Sequence, residues 1–216
     1  MARSSAPPPA ATSPAGRRAL RKAETRRTID RAALALFRER GFDATTVDEI
    51  ASAAGIGRRT FFRYFASKED LMFPYQAERE RELRRIFAAA GAEEAPIAAV
   101  RRAALALARV YSEERADILS RQRIIDACPA LVARETELDR NLELLIGEHF
   151  ARSASSGRTA ARRARLLAGA VFGVIRAAVR EWTRADGQLD LVALGNEAFD
   201  LLETTAPDLS QPRRRG

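Results

Sequence analysis

Apolar positions recur at helical spacing along nearly the whole chain, and no segment alternates in the two-residue rhythm of a half-buried strand. Near the N-terminus, Ile29, Ala33, Leu36 and Phe37 fall at i, i+4, i+7 and i+8, on one helix face. Gly41 follows as a left-handed C-cap, with Phe42 folding back as its apolar partner. Thr46-Val-Asp-Glu49 has capping-box spacing and opens a second helix, closed by Gly55, with Ile50, Ala51 and Ala54 inward. A third helix starts at Gly57 and turns Phe61 and Phe65 inward. Ser67-Lys-Glu-Asp70 repeats the Ser-x-x-acid pattern and predicts a longer helix reaching about Ala90. Pro74 lies inside that helix and predicts a kink, because it has no amide to bond back to Asp70.

Beyond Gly91 the pattern predicts helices at about 96–112, 116–127, 129–152, 159–184 and 189–204. Pro96, Pro129, the run from Ser153 to Gly157 and Asp186-Gly187 mark the breaks. Residues 1–16 are Pro, Ala and Ser with almost no large apolar side chain, so they are expected to form a disordered arm, and 206–216 a flexible tail. The expected fold is all-α: a three-helix unit over 17–66 joined to a larger helical domain over 67–205.

Charge sharpens this picture. The net charge is +8, and it is uneven: residues 1–75 hold 14 Lys and Arg against 8 acids, whereas 76–216 hold 23 against 21. A GC-rich genome explains abundant Arg but not its asymmetry, which suits an anionic partner near the N-terminal unit. The single cysteine, Cys128, excludes an intrachain disulfide. No apolar leader core or membrane-length run is present, so a soluble cytoplasmic protein is expected. The only histidine, His149, has no HExxH partner, so neither metal nor cofactor is expected. Cys128 lacks a nearby base, and Gly55 and Gly57 lead into arginines without a Walker lysine. An enzyme would need a titratable cluster that the sequence does not offer.

The stretch Thr46–Leu71 carries the chemistry. A short helix, a glycine turn and a second helix rich in Arg and aromatics is the pattern of a helix-turn-helix, whose second helix enters the major groove. That helix offers Arg58, Arg59, Thr60, Phe62, Arg63 and Tyr64 on faces not used by Phe61 and Phe65. Arginine suits bidentate contact with guanine O6 and N7. Thr46, Tyr64 and Lys68 stand where a hydroxyl or a helix end can hold phosphate. A helical hairpin with a solvated basic face is the plainer alternative. It leaves the small residues of the turn, beside three arginines and four aromatics, without a reason.

Ala35–Leu71, ALFRERGFDATTVDEIASAAGIGRRTFFRYFASKEDL, resembles the TetR family of bacterial repressors. The resemblance implies a homodimer placing two recognition helices in successive major grooves of a near-palindromic operator. It puts Thr46, Thr60, Tyr64 and Lys68 on phosphate- or groove-contacting positions, and Arg58, Arg59 and Arg63 on variable base-reading ones. Gly57 stands where the family usually has Ser, and Phe62 where it usually has Tyr. Phe62 therefore lacks a hydroxyl for phosphate, and Gly57 is a weaker cap.

The resemblance also implies a ligand-binding and dimerisation domain of about six helices. SRQRIIDACPAL and AVFGVIRAAVREW are similar to the C-terminal domain of mycofactocin-type regulators. Between such helices, Ile124, Ile125, Leu145, Phe150, Phe172 and Ile175 are candidates to line a pocket, with Arg121, Arg123 or Arg176 facing an anionic head group. The same residues are equally expected as plain core. For the dimer, Ala168, Gly169, Ala170, Gly173 and Ala177 allow close helix approach, while Leu194, Phe199 and Leu202 supply apolar area; intrachain packing would use them too. Trp182, at the end of the eighth helix, is expected to cap the core rather than anchor the dimer, the alternative open to it. The leading expectation is a repressor released from its operator by a small effector. An effector-independent DNA binder or activator, and a helical interaction protein without nucleic acid, stay open.

Overall fold

The computed structural model describes residues 14–74, 76–91, 93–153 and 157–205. Among them the chain is helical throughout: α1 Pro14–Arg40, α2 Val47–Ala53, α3 Arg58–Tyr64, α4 Gln76–Ala89, α5 Pro96–Glu113, α6 Arg115–Asp126, α7 Pro129–Ser153, α8 Arg158–Arg184 and α9 Leu191–Thr205. Two compact units divide at Phe73 and Pro74. The arm and tail expected at 1–16 and 206–216 lie outside the described residues, except Pro14–Gly16. These three residues already belong to α1, so the helix starts earlier than the composition of the arm implied. Proline suits a first helical turn, where its missing amide is not needed.

In the N-terminal unit, Ile29, Ala33, Leu34 and Phe37 of α1 are buried with Ile50 and Ala51 of α2 and Phe61 of α3. Gly41 takes φ 84° and returns its amide to the Phe37 carbonyl at 3.0 Å, while the Phe42 ring settles 5.0 Å from that of Phe37. The α2 capping box is formed from both sides. The Thr46 hydroxyl oxygen accepts from the Glu49 amide at 3.2 Å, and the Thr46 amide donates to Glu49 Oε2 at 2.8 Å. The Thr46 amide and hydroxyl, both donating to Oε2, with Arg40 beyond them, hold the Glu49 carboxyl below its ordinary range. A depressed acid stabilises the fold above its unfolded pKa and stops doing so as pH falls through the folded value. Thr46→Ala should therefore lower the unfolding midpoint by the equivalent of about 1 kcal/mol near neutral pH. That deficit should shrink as pH falls below the ordinary glutamate pKa, about 4.3, toward the lower one of folded Glu49. A deficit constant across this acid range in thermal melts would contradict it.

The long helix expected from Ser67 is replaced by a short 3₁₀ turn, Glu69–Leu71, and a break before α4. Pro74 therefore stands between elements and kinks nothing. Proline biases Phe73 away from the helical region. Asp70 is used locally as well, its Oδ2 accepting from the Ala66 amide at 2.9 Å.

In the C-terminal unit α7 packs along α8, and α9 lies against α5 and α8, with α4 on α5 and α7. Gly147 of α7 faces Ala168 of α8, where an added Cβ would stand at an ordinary contact distance of 3.6 Å. One core gathers Phe87, Ile97, Val100, Leu142, Ile146, Phe150, Val171 and Phe199. A second holds Ala108, Leu119, Trp182 and Leu191, so Trp182 is a packing residue, 1% exposed. His149 is buried and satisfied: Nε2 lies 3.1 Å from the Pro96 carbonyl and the ring stacks on Phe87 at 4.2 Å. Cys128 is buried and is in no disulfide. Among the described residues no helix is long and apolar enough to cross a membrane.

Candidate nucleic-acid interface

The glycine turn aims α3. Gly55 adopts φ 67°, and the extended Gly57 caps α3 with its carbonyl alone, accepting from the Thr60 and Phe61 amides at 2.8 and 3.1 Å. Phe61 is fully buried and Phe65, just past the helix end, is buried with it, their rings 5.8 Å apart. Anchoring that side leaves Arg58, Arg59, Phe62 and Arg63 exposed on the other. Phe62 is 44% exposed and meets the Phe61 ring edge-on at 5.4 Å. A large ring left half in water beside three guanidinium groups suits a surface that docks a partner rather than a core.

The predicted contact residues do not remain equally available. Arg58 Nη1 pairs with Asp48 Oδ2 at 2.6 Å, and its guanidinium lies 5.3 Å over the Phe62 ring. Both partners are exposed, so this pair is weak and exchangeable. Arg59 points into solvent, and Thr60 is half-buried. The Thr46 hydroxyl is occupied twice, accepting from the Glu49 amide and donating to Glu49 Oε2 at 2.8 Å. Lys68 is drawn inward: Nζ donates to the carbonyls of Phe42 at 2.9 Å and Thr45 at 3.1 Å, and lies 4.3 Å over the Phe42 ring. Its ammonium therefore clips the α1–α2 connection.

Tyr64 joins α3 to α1. Its hydroxyl is held below the usual phenol range, first by a hydrogen bond to Thr25, with Arg63 and Lys22 adding to the effect against partial burial. The Arg63 guanidinium lies 5.3 Å over the Tyr64 ring, and Arg26 covers Phe65 at 5.0 Å. The sequence reading missed Thr25, Lys22 and Arg26 here, and Asp48 as the partner of Arg58. Thr25 could have been found, standing four residues before Ile29 on the same stripe. The Asp48 pair spans a turn whose geometry no spacing rule supplies.

The residues expected around a ligand separate into groups. Leu145, Phe150 and Phe172 sit inside the main core, with Ile175 against it. Ile124 is half-buried and Ile125 buried, both on α6. Arg121 is buried and bonds Asp117 Oδ2 through Nε at 3.0 Å. Arg176 pairs with Asp139, and burial and then Arg180 lower its pKa. Arg123 instead reaches Asp186 Oδ1 at 2.8 Å on the surface.

Of the expected dimer residues, α9 contributes to the protomer's own core. Phe199 is 1% exposed, Leu194 packs against the Trp182 cluster and Leu202 against the main one. Leu194 and Leu202 are half-buried there. On α8, Gly169 is half-buried beside Glu143, whereas Gly173 and Ala177 are open, in one stripe with Ala170 and the 69%-exposed Leu166.

Two family models match this chain. Residues 29–73 match the model described as bacterial regulatory proteins, tetR family, and residues 94–207 the one described as MftR C-terminal domain. The chain is 31% identical over 207 residues to the HTH-type transcriptional regulator TcmR of Streptomyces glaucescens, covering 91% of this chain and 90% of that one. It is 30% identical to MftR of Mycobacterium tuberculosis, named for mycofactocin biosynthesis, over 88% of this chain and 96% of that one. Among solved structures, it is similar to FadR of Thermus thermophilus, a transcriptional repressor in complex with lauroyl-CoA. That match has 28% identity and a TM-score of 0.52, covering 82% of this chain and 92% of that one.

Proposed function

This chain belongs to the TetR family of transcriptional regulators, and on that premise we propose that it is a homodimeric repressor released from a near-palindromic operator by a small effector. The observation that carries DNA reading is the α3 surface, where Arg58, Arg59, Phe62 and Arg63 are exposed opposite the buried Phe61. Arg59 is the principal base reader, because it points into solvent while Arg58 already has Asp48. Arg63, Thr60 and Tyr64 flank it. Thr46 and Lys68 act mainly by holding the head together. Phe62 meets sugar or a thymine methyl in place of a hydroxyl bond to phosphate.

Two copies meet through the open α8 stripe of Leu166, Ala170, Gly173 and Ala177, since a dimer would match the symmetry of a palindromic site. The effector enters the C-terminal unit. Thermus FadR, bound to lauroyl-CoA, supports an elongated acyl-type molecule. Release from DNA requires that such a molecule bind the released state more tightly than the DNA-bound one. A reader of DNA and small effectors belongs in the cytoplasm.

Selection from a random duplex pool should return a two-fold site. Arg59→Ala should lose about 1–3 kcal/mol of discrimination at one position per half-site and keep the rest. Lauroyl-CoA should then weaken binding of the wild-type protein to the selected duplex. No enriched sequence would overturn the reading of DNA. A selected duplex whose affinity no acyl-CoA changes would favour the effector-independent binder.

A further inference from the structure

The first turns of α1 are strongly cationic and serve no core. Between Pro14 and Arg27 the helix holds six Lys and Arg against one Glu, and its buried residues begin only at Ile29. Its first turn has no acidic residue. Like charges four apart, Arg17 with Arg21, Arg18 with Lys22 and Lys22 with Arg26, repel one another along the helix, and a bound polyanion relieves that repulsion.

The cations also have a direction. The stripe of α1 that is apolar at Phe37, Ala33 and Ile29 continues toward the N-terminus through Thr25, Lys22 and Arg18. At this level the helix lies against α3: the Arg26 guanidinium covers the Phe65 ring at 5.0 Å, and Thr25 bonds the Tyr64 hydroxyl. Beyond Thr25 the helix runs on by seven residues to Arg18, roughly 10 Å at the α-helical rise. Arg18, Arg21 and Lys22 are all exposed. Leu20, 59% exposed, is the only large apolar residue between Pro14 and Thr28, so this helix has no face for a lipid surface.

We propose that Arg18, Arg21 and Lys22 form a phosphate clamp that grips the duplex backbone beside the bases met by α3. The clamp rests on the DNA-reading function above and adds affinity without sequence information. It also replaces part of the backbone grip that is missing where Phe62 has no hydroxyl and Lys68 is turned inward.

The test uses the full chain and a duplex that the wild-type protein selects from a random pool. The triple variant Arg18→Ala, Arg21→Ala, Lys22→Ala keeps helix propensity. It should bind that duplex more weakly, with unchanged base preference and unchanged thermal midpoint. The slope of log K against log salt should flatten by about 0.9 for each phosphate that the variant no longer neutralises. The charge-preserving variant Arg18→Lys, Arg21→Lys, Lys22→Arg should keep the wild-type slope. An unchanged slope in the alanine variant overturns the clamp while leaving the DNA reader intact. A wild-type protein that selects no duplex overturns the reader itself, and the clamp with it.

Discussion

Replacing Phe61 with alanine should unfold the N-terminal unit and abolish DNA binding together. Phe61 is fully buried, and its ring touches those of Phe62 and Phe65. Removing a buried phenyl group costs about 3–5 kcal/mol, through the transfer energy forgone and the cavity left behind. A unit of this size has little reserve, because small domains bury a smaller share of their surface. The helical signal of the N-terminal unit should melt well below the wild-type transition, while the larger unit keeps its own. Arg59→Ala is the contrast: its exposed side chain should leave the melt alone and change only base preference. A Phe61→Ala protein that melts like wild type yet fails to bind DNA would show that Phe61 is not the anchor of α3.

Trp182→Ala should be comparably damaging in the other unit. The indole is 1% exposed and joins α8 to α5, α6 and α9 through Ala108, Leu119 and Leu191, with the Tyr111 ring 6.3 Å away. Its loss should cost about 3–5 kcal/mol and lower the midpoint of the C-terminal unit on the order of 10 °C. Trp182→Phe should recover much of this. Since Trp182 is the only tryptophan, its fluorescence in the wild-type protein reports this unit alone. Calorimetry of Trp182→Ala showing an unshifted transition would mean that α5, α6, α8 and α9 close without the indole.

The helical framework is legible in the amino-acid order. Helices expected at 96–112 and 159–184 appear at Pro96–Glu113 and Arg158–Arg184, because proline and glycine stop helices by local sterics. The Thr46–Glu49 box and the Gly41 cap are legible for the same reason: their partners lie within four residues. The miss at Ser67–Asp70 is equally physical. A Ser-x-x-acid pattern opens a helix only if the following residues can continue it, and Pro74 is too close.

The site is legible by residue type but not by availability. Sequence spacing puts Arg58, Arg59, Phe62 and Arg63 on one side of α3, since a single helix determines its own faces. It cannot show that Asp48 holds Arg58, that Glu49 occupies the Thr46 hydroxyl, or that Lys68 turns in toward Phe42 and Thr45. In the sensor half, Phe199, Leu194 and Leu202 have the composition of an interface but lie against the protomer's own cores. Helical periodicity says that a face is apolar and is silent on which surface covers it.

By itself, then, the sequence determined an all-helical chain, the boundaries of most helices and a TetR-like reading head, all properties of neighbours along the chain. The tertiary structure alone decided which cations stay in solvent, which carbonyls Lys68 serves and how α1 extends past Tyr64. Those outcomes depend on distances between residues far apart in sequence, which only packing brings within reach.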